Sequence, residues 1–97
     1  MPDEKITVEN VNTPERTQTV RADKYRDMRR ALLQVVPTSS PGLSFNDIKE
    51  RAKPHLCPDL FPNGATSGWW AKCVQLDLEA KGRLARTKGA PLRFYQT

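Results

Sequence analysis

The chain has few of the side chains on which catalysis and metal binding usually depend, with one histidine and two cysteines in 97 residues. His55 and Cys57 are close together, but Cys73 follows sixteen residues after Cys57, and no Cys-x-x-Cys pair occurs. A structural zinc ion takes about four ligands at short spacings, so these residues do not predict a zinc site. A glycine-rich phosphate loop, a Gly-x-Ser-x-Gly elbow and paired carboxylates are also missing from the sequence. We therefore expect a protein that is not an enzyme and holds neither a metal nor a cofactor.

Long apolar runs are missing as well. No stretch approaches the roughly 20 apolar residues that a membrane-spanning helix requires. The first four residues, MPDE, include two acidic side chains and no basic one, whereas a secretory signal begins with basic residues followed by an apolar segment. We expect a cytoplasmic protein that does not contact a membrane, and a reducing compartment would keep Cys57 and Cys73 as thiols.

Charge is distributed unevenly along the chain, whose formal net charge is +5. Residues 1–20 carry two basic and four acidic side chains, a net charge of −2, and their polar composition predicts an N-terminal arm that is extended or disordered. Residues 21–97 carry 14 basic and 7 acidic side chains, a net charge of +7. A folded part with this charge favours a polyanionic partner, either nucleic acid or an anionic surface, and a soluble basic surface without a partner is the alternative.

Two amphipathic segments predict the first two helices. The first runs from Asp23 to Val36, with Asp23 as its N-cap and a proline directly after its end. The second begins after Ser44, whose hydroxyl can accept a hydrogen bond from the backbone N–H of Asp47. Leu43, just before this helix, is expected to form a single strand pairing.

The last third of the sequence predicts a third helix and then a β-hairpin. Ser67 to Lys81 has helical periodicity, and Gly82 ends the helix. Leu84, Leu92 and Phe94 follow with the period of two that marks inward positions on strands. The turn between these strands is expected in the segment KGAP, where glycine and proline favour a turn.

Basic residues dominate the segment from Lys81 onward, which contains no carboxylate side chain. They are Lys81, Arg83, Arg86, Lys88 and Arg93. Such a pattern suits contact with a phosphate backbone.

On a helical wheel the third helix carries two apolar stripes. We expect the first stripe in the core; it consists of Trp70, Val74 and Leu78. The second consists of Trp69, Cys73, Leu76 and Ala80. Three interpretations of the second stripe stay open: more core, covered by the long connection at residues 57–66; a homodimer surface; or a face that binds nucleic acid or a ligand. Trp69 is the residue on this stripe to test for function.

Asp77 lies between the two stripes on the wheel. A buried carboxylate needs a partner, and Lys81, an arginine of the first helix or a tryptophan N–H is available. We expect an ion pair at the edge of the core rather than a catalytic acid, because no second acid or histidine lies at a suitable spacing.

Three segments carry a resemblance to a known family: VENVNTPERTQTVRADKYRDMRRALLQVVP, PHLCPDLFPNGATSGWWAKCVQLDLEAKGRLAR and PLRFYQ. They resemble a family of small uncharacterised bacterial proteins of unknown function with a winged-helix-like domain. The resemblance spans nearly the whole chain, and GWWAKCVQLDLEAKG is its most specific part. It implies the fold and a bacterial cytoplasmic protein, but it supplies no functional residues. A looser similarity to winged-helix transcriptional regulators covers only LEAKGRLAR through PLRF.

The expected fold class is α+β, a winged helix-turn-helix with three helices and a small antiparallel sheet. It occupies residues 21–97 and follows the N-terminal arm at residues 1–20.

The first functional hypothesis is a regulatory module that binds double-stranded DNA. Lys72 and Gln75 would face the DNA groove, and Arg86, Lys88 and Arg93 would hold phosphates. Base readout is in doubt because the third helix is so apolar.

The alternative is a protein-interaction module that uses the same fold without binding DNA. In that case Trp69 and Leu76 make the contact, and a homodimer is its simplest form.

Overall fold

The structure is a computed structural model that describes residues 4–88 and 90–97. Its elements in chain order are β1 (Lys5–Glu9), β2 (Thr17–Arg21), α1 (Ala22–Val35), α2 (Phe45–Ala52), α3 (Ser67–Ala80), β3 (Leu84–Arg86) and β4 (Phe94–Gln96). Short 3-10 turns occupy Lys53–His55 and Pro62–Gly64. The described residues therefore form an α+β fold with three α-helices and two small antiparallel sheets; the sequence predicts the class, the three helices and one of the sheets.

Helix α1 begins one residue earlier than its sequence suggests. Its N-cap is Arg21, and Asp23 lies in the first turn instead of capping it. The Asp23 carboxylate accepts hydrogen bonds from Arg21 Nε at 3.1 Å and from the backbone N–H of Lys24 at 2.7 Å. An acidic side chain in the first turn still stabilises the helix through its dipole. The apolar stripe is buried at Tyr25, Met28, Leu32 and Val36.

Helix α2 begins as predicted. Ser44 Oγ accepts a 3.2 Å hydrogen bond from the backbone N–H of Asp47, which satisfies a donor that the helix start leaves unpaired. The expected strand pairing at Leu43 is also present, because Leu43 and Phe94 exchange backbone hydrogen bonds of 3.0 and 2.8 Å. This bridge connects the start of α2 to β4.

Helix α3 ends at the glycine that the sequence indicates. Gly82 has φ +74°, a conformation that glycine adopts at little cost. Its N–H donates to the Glu79 carbonyl at 3.1 Å, and the Arg83 N–H donates to the Leu78 carbonyl at 2.8 Å. These two bonds form a Schellman motif that closes the helix and turns the chain into β3.

The C-terminal ribbon consists of Arg83, β3, β4 and the residues between the two strands. Its register pairs Leu84 with Gln96 and Arg86 with Phe94. Leu84 and Phe94 are buried as expected, but the inward position predicted for Leu92 is wrong, since 47% of its surface is exposed. Strand β4 begins only at Phe94, so the alternation does not extend back to Leu92. The turn expected in KGAP includes Gly89, which lies outside the described residues.

The N-terminal hairpin consists of β1 and β2. Where the sequence analysis expects an extended or disordered arm, the two strands pair antiparallel, with Lys5 opposite Arg21 and Val8 opposite Gln18. Val8 and Val20 are 4% and 6% exposed and belong to the hydrophobic core. The part of the arm from Lys5 onward is therefore packed on the domain.

One hydrophobic core contains residues from all three helices and both sheets. Its largest fully buried apolar side chains include Met28, Leu32, Ile48 and Leu78. No helix among the described residues has the length and apolar content needed to cross a membrane.

Candidate binding site

The inward side of α3 carries the core stripe predicted from the helical wheel. Trp70, Val74 and Leu78 are all buried. The Trp70 ring stands at 82° to the ring of Phe61, with 6.4 Å between the ring centroids. This packing fixes the rotation of α3 and so determines which of its side chains reach the surface.

Asp77 is fully buried and links the N-terminal hairpin to α3 through a hydrogen bond. Its Oδ1 accepts a 2.8 Å hydrogen bond from the backbone N–H of Glu9. Its Oδ2 accepts hydrogen bonds from the Tyr25 hydroxyl and, at 2.9 Å, from Lys81 Nζ. Burial, together with the nearby Asp77 carboxylate, raises the pKa of Tyr25, because an ionised phenol would be desolvated beside a negative charge. Lys81 is the partner that the sequence suggests, and the Tyr25 and Glu9 contacts join distant parts of the chain.

A second polar cluster pairs Gln75 and Arg86 with the buried carboxylate of Glu79. Gln75 is 0% exposed and its Nε2 donates to Glu79 Oε1. Arg86 donates to the two oxygens of Glu79 at 2.6 and 3.0 Å, and this contact raises the pKa of Arg86. The expected position of Gln75, facing a DNA groove, is therefore corrected: the side chain lies in the core. Arg86 is already paired with a carboxylate that is 3% exposed.

Three of the predicted site residues on α3 do reach the surface. Trp69 is 52% exposed and stands at 82° to Trp70, with 5.1 Å between the ring centroids. Lys72 is exposed, and its Nζ lies 4.6 Å from the centroid of the Phe45 ring. Leu76 is half-buried.

A groove of about 530 Å³ lies between the N-terminal hairpin and α3. The α3 wall consists of Trp69, Lys72, Cys73 and Leu76. The hairpin wall is mostly polar and includes Arg16 and Glu9, with Val8 as its apolar part. Trp69, Cys73 and Leu76 of the second apolar stripe of α3 thus lie in one wall of a groove. The hairpin lies opposite it, in place of the connection at residues 57–66 that the sequence analysis considers as a cover.

The basic residues of the C-terminal segment fall into two groups. Lys81 and Arg86 are paired with the buried acids of α3. Arg83, Lys88 and Arg93 form no ion pair with any residue that the structure describes. Lys88 and Arg93 lie in the connection between β3 and β4, and Arg83 precedes β3. Unpaired cations on this ribbon remain available to an anionic partner.

Both thiols are free and half-buried. Burial, and to a lesser degree the charge of Asp77, raises the pKa of Cys73 to about 11. The thiol therefore stays protonated at neutral pH, which makes it a slow nucleophile. In residues 4–88 and 90–97, no group of three His, Cys, Asp or Glu side chains is placed to hold a metal ion.

The hairpin wall of the groove is the part that the sequence analysis missed. A signal was present: the segments ITVE and TQTV are rich in β-branched residues, and NVNTPE between them contains turn formers. Together they match the pattern of a β-hairpin. The contact of that hairpin with α3 depends on Asp77 and on Val8, and no local pattern indicates it.

Comparisons with known proteins give one match. Residues 5–94 match the model of a family described as Family of unknown function (DUF6958). The matched residues include the hairpin, all three helices and both walls of the groove. The comparison with curated proteins gives no match, and the comparison with solved structures gives none either.

Proposed function

Because the chain belongs to the DUF6958 family, whose function is unknown, we propose a function from the geometry of its surface. The protein is a small DNA-binding module of the winged-helix type with a regulatory role in the cytoplasm. It acts by binding and not as an enzyme. Its C-terminal ribbon holds the phosphate backbone of duplex DNA.

The order of elements supports the winged-helix part of the proposal. After the hairpin come α1, the Leu43 bridge, α2, α3 and the C-terminal ribbon. The bridge adds Leu43 to the edge of the two-stranded ribbon through Phe94. A winged helix-turn-helix has this sequence of helix, short strand, two helices and two-stranded wing.

Three unpaired cations on one ribbon carry the DNA part of the proposal. Arg83, Lys88 and Arg93 have no internal acid to neutralise them among the described residues. A phosphate that meets such a side chain releases a condensed counterion, and this release is the main source of non-specific DNA affinity. Lys81 and Arg86 contribute less, because binding a phosphate would compete with their pairing to a buried carboxylate.

Base readout by α3 has little part in this proposal. Of the two residues predicted to face the DNA groove, Gln75 lies in the core and Lys72 is exposed. The hairpin covers part of the outer face of α3. We therefore expect binding with low sequence preference, with a Kd of about 10⁻⁴ to 10⁻⁶ M at physiological salt.

The test compares two double variants that each remove two positive charges. Lys88→Ala with Arg93→Ala changes the ribbon, whereas Lys5→Ala with Arg16→Ala changes the N-terminal hairpin. Fluorescence anisotropy with a labelled random duplex at several salt concentrations measures affinity. The ribbon variant should bind more weakly, and its log–log salt slope should be smaller by about 1.8, or about 0.9 for each lost phosphate contact. The hairpin variant should keep the wild-type slope. Equal losses in both variants would mean that net charge alone, and not the ribbon, determines binding.

Trp69 favours a second candidate, a protein-interaction module. A tryptophan that is 52% exposed beside half-buried Leu76 is an apolar surface feature of the kind that contacts proteins. The simplest partner is a second copy of the chain, since a two-fold contact needs one self-complementary patch.

Leu76→Glu tests this second candidate. If α3 pairs across a two-fold axis, a carboxylate at Leu76 should convert a dimer of twice 11.0 kDa into a folded monomer. Thr19→Glu adds the same charge at an exposed position on the hairpin and should leave the dimer intact. Light scattering at high protein concentration gives the mass. A wild type that stays at 11.0 kDa contradicts the dimer.

A further inference from the structure

We propose that the groove between the N-terminal hairpin and α3 is a binding site for a small, flat aromatic anion, such as an aromatic carboxylate. The site is separate from the C-terminal ribbon and does not depend on DNA binding. Its walls come from elements far apart in the sequence, so it exists only when the hairpin is docked through Asp77.

The size and lining of the groove suit a ligand of one or two rings. Its volume of about 530 Å³ lies within the range of known small-molecule pockets, which is about 300–1,000 Å³. Val8, Cys73 and Leu76 supply apolar surface inside it. Polar side chains of the hairpin border this surface, a combination that orients an amphipathic ligand.

Trp69 is the aromatic contact. Half of the Trp69 surface is exposed. The adjacent Trp70 is 8% exposed and belongs to the core. Its ring contacts one side of the Trp69 ring, with 5.1 Å between the ring centroids. An aromatic ring that is fixed before binding loses little conformational entropy when a second ring stacks on it. A flat aromatic ligand can therefore cover the open part of the indole.

The charges on the groove favour an anion. Arg16 and Lys72 line it, and neither forms an ion pair with a described residue. Glu9 is the one carboxylate in the described lining, so the lining has an excess of positive charge. Lys72 is held over the Phe45 ring at 4.6 Å, which limits its motion while its ammonium remains exposed.

The alkylation rate of the Cys73 thiol can report occupancy of the groove, and the Cys57 thiol is its control. Cys73 lines the groove, whereas Cys57 lies outside its lining in the connection after α2, and both are half-buried. A ligand in the groove should therefore slow alkylation of Cys73 and leave the rate at Cys57 unchanged. Because the pKa of Cys73 is about 11, the reaction is run with iodoacetamide near pH 9 to obtain enough thiolate.

The probe for the test is 2-naphthoate, with neutral 2-naphthamide as its matched control. The indole N–H signal of Trp69 is observed in ¹⁵N-labelled protein and is assigned with the variant Trp69→Phe. It should shift as 2-naphthoate is added and saturate with a Kd of about 1 mM. The amide should bind roughly tenfold more weakly, because it lacks the charge. With the acid at about ten times its Kd, alkylation of Cys73 should slow about tenfold.

Variants that remove one positive charge inside or outside the groove distinguish binding in the groove from an effect of net charge. Arg16→Gln and Lys72→Gln should each weaken 2-naphthoate several-fold without changing the affinity for 2-naphthamide. Arg51→Gln removes the same charge from an exposed position on α2, outside the groove, and should change neither affinity.

Three results would overturn the proposal. The first is an indole signal of Trp69 that does not move up to about 10 mM probe, a limit set about tenfold above the expected Kd. The second is equal affinity for the acid and the amide. The third is a signal that shifts with protein concentration alone, which would mean that a second copy of the chain covers the groove. The proposed DNA binding is tested separately, because the ribbon variant Lys88→Ala with Arg93→Ala leaves the lining of the groove unchanged.

Discussion

Pairing with buried acids decides which charged residues of this protein can act at its surface. Lys81 and Arg86 are bound to carboxylates that are 0% and 3% exposed, whereas Lys88 and Arg93 have no such partner among the described residues. Withdrawing a cation from a buried carboxylate leaves an uncompensated charge in the core, which is strongly destabilising. A basic residue on the sequence therefore counts as a binding candidate only after its internal partners are known.

The stabilities of alanine variants at Trp69 and Trp70 test which of these adjacent side chains belongs to the core. Trp70→Ala should lower the free energy of unfolding by about 3–5 kcal/mol, because it empties a buried aromatic site. Trp69→Ala should cost about 1 kcal/mol, which is the size of its edge contact with Trp70. Urea melts of both variants measure the difference. Equal losses would show that both rings are core and would remove Trp69 as a binding residue.

At the scale of elements, the predictable parts of the fold are those with local causes. Ser44 caps α2 through a residue three positions later, and Gly82 ends α3 through bonds within its own last turn. Both features follow from short spacings that a sequence displays. A strand pairing at Leu43 is predicted, but its partner Phe94 is not, because that contact is long-range.

The unpredicted parts of the fold depend on contacts between distant segments. Gln75 falls on the polar strip of an isolated helix, yet it is buried by tertiary packing and bonded to Glu79. Leu92 continues an apolar alternation, but the strand pairing stops short of it. The groove needs the hairpin to dock on α3, and Asp77 makes that contact 68 residues away from Glu9. Helical periodicity and turn composition contain no information about such pairings.

The docking of the hairpin can be tested with two variants of the same strand. Val8→Ala should destabilise the protein by roughly 2 kcal/mol, since it removes two buried methyl groups. Thr7→Ala, on the exposed side of β1, should change stability by less than about 0.5 kcal/mol. Denaturant melts give both values. If Val8→Ala is as neutral as its control, the hairpin is a free arm and the groove does not exist in solution.

At the scale of the whole molecule, the acidic N-terminal part folds back on the basic domain. Glu4 accepts two hydrogen bonds from Arg26 at 3.0 and 2.9 Å, and this pairing lowers the pKa of Glu4. Negative charge from the N-terminus thus neutralises part of α1. The C-terminal ribbon keeps three unpaired cations, Arg83, Lys88 and Arg93. This distribution is the basis for the proposed contact between the ribbon and a polyanion.

The most direct test of the proposed function is the salt dependence of duplex binding by the wild-type protein. If the three ribbon cations each neutralise one phosphate, a plot of log affinity against log salt should be linear with a slope of about −2.7. A random duplex and fluorescence anisotropy from about 50 to 200 mM salt suffice for the measurement. The absence of binding at about 50 mM salt, or an affinity that does not change with salt, would contradict the proposal.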